Sequence, residues 1–127
     1  MSNLSDALKV GVDAIDQRHE EFYSLYETLK NVPDNEFLEA FNAVVLHTIG
    51  HFSEEEADME RFAYPNKAEH KQEHQKALDE MNYFREKVSS GKLIFAKAYV
   101  QDRLGDWFRT HLLNMDSDLA RVITLSR

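Results

Sequence analysis

HFSEEEADMERFAYPNKAEHKQEH, residues 51–74, contains two pairs of polar residues separated by a turn. His51 and Glu55 lie four residues apart before the turn, and His70 and His74 lie four residues apart after it. Four residues are about one turn of an α-helix, so each pair shares a helix face, with its side chains roughly 40° apart. Two antiparallel helices joined at this turn would bring three imidazoles and a carboxylate together, which predicts a metal site.

The rest of the chain has the pattern of amphipathic helices. Apolar residues recur at intervals of three and four in nearly every window, and alternating β-branched runs typical of strands are absent. We predict an N-terminal arm, four helices and a short final turn or tail, at residues 1–12, 13–31, 35–62, 66–88, 93–117 and 119–127. Short loops between four such helices predict an all-α fold, an up-down-up-down four-helix bundle in a single domain.

Composition restricts the function classes. The 127 residues carry a formal net charge of −8 and include no cysteine. An acidic chain repels phosphate backbones and anionic bilayers, so we expect no nucleic-acid or membrane partner. No apolar run approaches the length of a membrane span, and the first residues lack the pattern of a signal peptide, which favours a cytoplasmic location. Without thiolates, a transition metal would be held mainly by nitrogen and oxygen.

The last predicted helix can add ligands at the same height in the bundle as the His51/Glu55 and His70/His74 pairs. Antiparallel helices place residues at equal distances from their turn at the same height, which sets Glu55 opposite His74 and brings His111 level with the neighbour of His70. Asp116 follows His111 by five residues, about 140° round an ideal helix. Both could reach one centre only by flanking it or through a local distortion of the helix.

The first predicted helix contributes His19, its only histidine. The same reflection sets His19 opposite Leu46, closer to His47 than to His51. Spacing alone therefore leaves open which of the two it joins. A lone histidine on an apolar face is usually a hydrogen-bonded core residue, and we interpret His47 in that way.

Other polar residues of the region have an ordinary interpretation. Glu54, Glu56 and Glu60 are typical of a solvated helix face. Five histidines and two acids drawn from four helices to one level are harder to explain in this way. Burying that many polar groups would be costly without a compensating ion.

Four segments together resemble a known family: Asp16 to His19; His51 and Phe52 with Glu55 and Met59; Tyr64 and Pro65 with His70 and His74; and Trp107 with His111 and Asp116. They are similar to the hemerythrins, specifically the single-domain bacterial kind. The resemblance covers nearly the whole chain, and it implies one hemerythrin-like domain over residues 1–127.

The resemblance implies a non-haem di-iron centre, in which an oxo or hydroxo group bridges two iron ions. The implied ligands are, for one iron, His70, His74 and His111; for the other, His19 and His51; and, as shared bridges, Glu55 and Asp116. The family has the same five-residue spacing before its bridging aspartate, and it assigns the position of His51 rather than that of His47. Positions that wall the oxygen pocket in the family match Phe22, Phe52, Trp107 and Leu112, with Phe108 as a further candidate beside them.

Two residues depart from the family pattern. The family often has a tryptophan near the start of the N-terminal arm, where this chain has Leu4. In the segment Asp16-Gln17-Arg18-His19, an arginine stands directly beside an implied ligand. We expect Arg18 to point to solvent.

The implied ligand set suits oxygen binding. Five imidazoles and two bridging carboxylates supply roughly nine bonds, and a bridging oxo or hydroxo group adds two, against about twelve for two octahedral ions. The position left open, on the iron with two histidines, could bind dioxygen. The resemblance thus implies reversible oxygen binding for storage, transport or sensing, without enzyme activity.

Two alternatives remain at the level of the sequence. A di-iron enzyme, such as a peroxidase or a nitric oxide or oxygen scavenger, could use the same site. A structural zinc protein or a purely helical interaction module is the third reading. We expect a monomer whose ligand is dioxygen, with an unidentified protein as a candidate oxygen acceptor.

Overall fold

A computed structural model describes residues 9–126. Within them the chain forms four helices: α1 (Asp13–Asn31), α2 (Phe37–Arg61), α3 (Lys67–Ser89) and α4 (residues 93–125). A single 3₁₀ turn precedes α2, and no strand occurs in residues 9–126. The predicted all-α four-helix bundle is confirmed. Among the helices of residues 9–126, none combines the length and the apolar composition of a membrane span. Leu4 lies outside the described residues.

Two separate apolar clusters form the core of residues 9–126. The larger cluster includes Phe22, Phe41 and Leu112, and the smaller one includes Ile15 and Leu119. Along α1, α2 and α4 the chain passes from one cluster to the other, because apolar residues at intervals of three and four form one buried stripe. The stripe is interrupted on each helix by buried histidines or acids, so a polar layer lies between the clusters.

The connections between helices are short enough to fix their relative heights. Five residues join α2 to α3, and the amide of Tyr64 donates to the carbonyl of Met59 at 2.9 Å. Gly91, which follows α3, has φ +83°, a left-handed conformation that glycine adopts without a steric penalty. Residues equally distant from these turns therefore lie opposite each other.

Helix α4 is one continuous helix with two π-helical segments. Its successive parts are Leu93–Tyr99 (α), Val100–Leu104 (π), Gly105–His111 (α), Leu112–Asp116 (π) and Ser117–Leu125 (α). The residues at the junctions all have right-handed helical φ and ψ angles. The predicted end of this helix near Ser117 is wrong, because Leu119, Ala120 and Ile123 continue the buried stripe and pack in the smaller cluster.

The first π segment is held against α1. The hydroxyl of Tyr26 donates to the carbonyl of Val100 at 3.0 Å. Gly105 follows the segment, and a Cβ atom there would lie 2.5 Å from the Tyr26 hydroxyl oxygen. The absence of a side chain at this position therefore allows α4 to approach α1 closely.

Candidate metal centre

The polar layer contains seven side chains that can bind a metal. They come from all four helices: His19 on α1, His51 and Glu55 on α2, His70 and His74 on α3, and His111 and Asp116 on α4. All seven are buried, with at most 6 % of any residue exposed. They are the seven residues that the family resemblance implies as ligands.

Their donor atoms form two overlapping groups, and within each group the atoms lie within 4.8 Å of one another. The three-histidine group consists of Glu55, His70, His74, His111 and Asp116. The two-histidine group consists of His19, His51, Glu55 and Asp116. Only the two carboxylates belong to both groups.

Glu55 directs one carboxylate oxygen toward each group. Its Oε1 atom lies 2.7 Å from Nε2 of His70 and 3.1 Å from Nε2 of His74. Its Oε2 atom lies 3.1 Å from Nε2 of His51. The position of Glu55 on α2, level with His74 and one turn beyond His51, follows from the four-residue spacing on both sides of the α2–α3 turn.

Asp116 is divided between the groups in the same way. Its Oδ1 atom lies 3.0 Å from Nε2 of both His70 and His111, and its Oδ2 atom lies 2.8 Å from Nε2 of His19. His111 and Asp116 both face the centre because residues 112–116 form the second π segment. In a π turn the repeat is i→i+5, so residues five apart come close to one face. The π segment is the local distortion of the helix that the five-residue spacing left as one of two ways for His111 and Asp116 to reach one centre.

The donor spacing fits metal ions. Nitrogen and oxygen ligands bind at about 2.0–2.2 Å, so neighbouring donors of one ion lie about 3 Å apart. Nε2 of His70 lies 3.1 Å from Nε2 of His111, and the nitrogen–carboxylate distances above are similar. Two imidazole nitrogens that face each other repel when both carry a bare lone pair, so a proton or a cation must lie between them. The buried His, Glu and Asp side chains therefore fit a metal site.

Electrostatics differ between the groups in the metal-free protein. Burial opposes a charge on His111, but the adjacent Asp116 outweighs it and raises the pKa of His111 to about 10. Burial lowers the pKa of His51, against the opposite effect of Glu55. Burial would also raise the pKa of the two carboxyls, yet the facing histidines hold both well below their usual range.

Aromatic residues surround both groups. Phe52 stacks on His74, with ring centroids 3.8 Å apart and an interplanar angle of 6°. Trp107, which is half-buried, stacks on His111 with centroids 4.7 Å apart. Both of these contacts are made with the three-histidine group.

The two-histidine group has a different apolar neighbourhood. Phe108 contacts the ring of His19 edge-on at 5.7 Å, and Phe22 stacks on Phe108 at 4.4 Å. Leu112 is fully buried in the same cluster as these two phenylalanines. Phe52 also approaches His51, with ring centroids 5.7 Å apart.

Two expectations about neighbouring residues are wrong. Arg18 does not point to solvent: its side chain is 13 % exposed and pairs with Glu54 at 3.2 Å and Asp58 at 3.1 Å, which ties α1 to α2. Glu56 is not merely solvated, because its Oε2 atom accepts a hydrogen bond from Nδ1 of His74 at 2.9 Å. The reflection that sets Glu55 opposite His74 could have found the contact, since it places Glu56 one residue away.

His47 lies outside both groups. Its Nε2–H donates to the carbonyl of Arg18 at 3.2 Å. The ring of His51, by contrast, lies with its centroid 5.1 Å from that of His19. The structure therefore pairs His19 with His51 in the two-histidine group.

Comparisons with known proteins agree with this architecture. Residues 10–123 match the family described as hemerythrin, the hemerythrin HHE cation binding domain. The chain is 31 % identical over 112 residues to a bacteriohemerythrin of Ralstonia nicotianae, covering 88 % of this chain and 81 % of the relative. It is 28 % identical over 119 residues to a bacteriohemerythrin of Stenotrophomonas maltophilia, covering 91 % and 76 %. A crystal structure of wild-type hemerythrin has the same fold, with a TM-score of 0.83, 20 % identity and 98 % coverage of each chain.

Proposed function

The chain belongs to the hemerythrin family, and on that premise we propose that it binds dioxygen reversibly at a non-haem di-iron centre. The three-histidine group would hold one iron, the two-histidine group would hold the other, and Glu55 and Asp116 would be shared between them. A pair of iron ions would supply the electrons and the open coordination position that reversible dioxygen uptake requires.

The unequal size of the two groups is the observation that carries the proposal. Each carboxylate directs one oxygen to each side, so the three-histidine group offers five donors and the two-histidine group offers four. An octahedral ion needs six ligands. With one further shared ligand, the larger group would be complete and the smaller one would be left with a position for a small molecule.

The surroundings of the smaller group support a diatomic gas as that molecule. Phe108 lies edge-on to His19, Phe22 stacks on Phe108, and Leu112 belongs to the same buried cluster. The ring of Phe52 lies 5.7 Å from that of His51 between centroids. We propose that these residues form the wall of the oxygen pocket, where they exclude water and protons. Trp107 would contribute to this wall from the side of the three-histidine group, since it stacks on His111.

The balance of ligand types favours a binding protein over an enzyme. Five imidazoles, which bind a metal in their neutral form, stand against two carboxylates. Fewer anionic donors stabilise high oxidation states less, which favours release of intact dioxygen over cleavage of its oxygen–oxygen bond. Because a single chain supplies every donor, a monomer would suffice, and we propose a cytoplasmic role in oxygen storage, delivery or sensing.

Metal analysis combined with oxygen cycling tests the function. The protein is loaded anaerobically with ferrous iron, its iron content is measured, and absorbance is followed through repeated cycles of oxygen and vacuum. We expect two irons per chain and a spectrum that returns in each cycle. His47→Gln, outside both groups, serves as the matched control and should behave as the parent does.

Irreversible bleaching, or sustained turnover with hydrogen peroxide, would contradict reversible binding and favour the enzyme. Binding of zinc alone would contradict both iron-based readings.

A further inference from the structure

His74 is held more firmly than its neighbours in the polar layer. Its Nε2 atom faces Glu55 at 3.1 Å, and its Nδ1 atom faces Glu56 Oε2 at 2.9 Å. Phe52 covers one face of the ring in a nearly parallel stack. Contacts on both nitrogens and on a ring face leave this imidazole one orientation.

Other histidines of the two groups lack this support. The Nδ1 atoms of His19 and His70 are buried and have no hydrogen-bond partner among the described residues. The contact of Glu56 with His74 is therefore not a general feature of the layer. It places an additional negative charge beside one imidazole of the three-histidine group.

Neighbouring glutamates on α2 behave differently from Glu56. Glu54 pairs with Arg18, and Glu60 pairs with Lys67 and Lys71, so both form ion pairs with basic side chains. Glu56 is 34 % exposed at its side chain, less than either of them, and it turns inward to the ring of His74.

The chemistry of imidazole explains what this contact would do. When Nε2 binds a metal ion, Nδ1 must carry the proton, and a carboxylate that accepts this proton's hydrogen bond fixes the tautomer. The same bond makes the ring a stronger donor to the metal. A stronger donor stabilises the more highly charged oxidation state of the ion.

We propose that Glu56 is a positioning residue that, through His74, lowers the reduction potential of the ion in the three-histidine group. This inference rests on the di-iron function proposed above. It makes the two ions unequal in potential as well as in the number of their ligands.

Glu56→Gln tests the inference, because glutamine keeps the size of the side chain and an acceptor oxygen but removes the charge. Glu56→Ala removes both, and Glu60→Gln is the control for the loss of one negative charge on the same helix. Cobalt(II) affinity is measured by spectroscopic titration of the metal-free proteins. We expect it to fall about 10-fold in Glu56→Gln and toward 100-fold in Glu56→Ala, with no change in Glu60→Gln.

The midpoint potential of the iron-loaded proteins is the second readout. We expect Glu56→Gln to shift the equilibrium of one iron toward the ferrous state by roughly tenfold, which is ~59 mV for a one-electron couple. An unchanged potential, with or without weaker cobalt binding, would overturn the tuning role and leave reversible dioxygen binding intact. A parent protein that binds iron pairs but does not take up dioxygen, together with the shifted potential, would overturn the dioxygen proposal and support the role of Glu56.

Discussion

The three-histidine and two-histidine groups share their carboxylates but differ in the number of their donors and in most of their surroundings. The larger group has five donors, a glutamate behind His74 and a half-buried Trp107 stacked on His111. The smaller group has four donors and lies against Phe108 and the larger apolar cluster. A helical bundle can therefore make two adjacent metal positions unequal through what each of its helices contributes beside the shared acids.

Removing a shared acid should have the largest effect, because it takes a donor from both groups at once. We expect Asp116→Ala to lose both ions, since one alanine leaves four donors on one side and three on the other and removes the carboxylate that faces His19 and His70. Glu55→Ala should do the same. Iron content after anaerobic loading is the measurement.

Asp118→Asn is a suitable control for that experiment. Asp118 lies two residues beyond Asp116, but it accepts a hydrogen bond from Tyr64 and lies outside both groups. Its variant should retain the parent iron content. Full retention of iron in Asp116→Ala would contradict the shared role of the acid.

The loss of single histidines should separate the two groups. His19→Ala leaves one imidazole in the smaller group, so we expect one ion per chain and no oxygen-dependent absorbance. His74→Ala reduces the larger group to the donor number of the smaller one, and we expect both ions to remain, with the affinity of the larger group lowered by more than the roughly 100-fold that loss of a residue behind a ligand costs. Equal results for the two variants in metal analysis would show that the difference in donor number between the groups does not affect metal binding.

The pH dependence of the metal-free protein should reveal the charge on the larger group. The pKa of His111 is raised to about 10 in the folded state, against about 6.5 when unfolded. Its protonated form therefore stabilises the fold fully below about pH 6.5, and this contribution disappears as the pH rises to about 10. We expect the free energy of unfolding, measured with urea, to fall by a few kcal/mol across that window.

His111→Gln is the control and should show a much flatter profile in the same window. Metal loading should also remove the decline, because a bound imidazole is already neutral at Nε2. A flat profile for the metal-free parent would mean that His111 is not the group that carries the charge.

A pair of glycine variants gives the smallest expected effect and concerns the distance between helices. Gly105→Ala should destabilise the protein by about 1–3 kcal/mol, since its Cβ atom would meet Tyr26 and push α4 from α1. His19 and Asp116 lie on these two helices, so the smaller group should loosen first. Gly50→Ala, with no heavy atom within 4 Å of its Cβ position, should instead stabilise α2 by about 0.5–1 kcal/mol. Urea unfolding and iron content distinguish the two outcomes, and equal effects would contradict the packing role of Gly105.

Much of the fold follows from local pattern. The predicted bounds of the first helix match α1, Asp13–Asn31, and the buried apolar residues of α1 and α2 recur at the predicted intervals of three and four. The end of α4 was missed because residues 119–125 are helical through their packing against the smaller cluster. The contacts of Arg18 and Glu56 were missed for a similar reason, since each depends on a partner on another helix.

The amino-acid sequence is enough to establish which residues share a helix face, because the repeat of about 3.6 residues is a property of the backbone. His51 is paired with Glu55, and His70 with His74, on this basis. The packing of the four helices was needed to show that His19 meets His51 and that a π segment brings Asp116 round to the side of His111. Both depend on how far the helices are shifted and locally rewound against each other, and that is set by the packing of side chains from several helices at once.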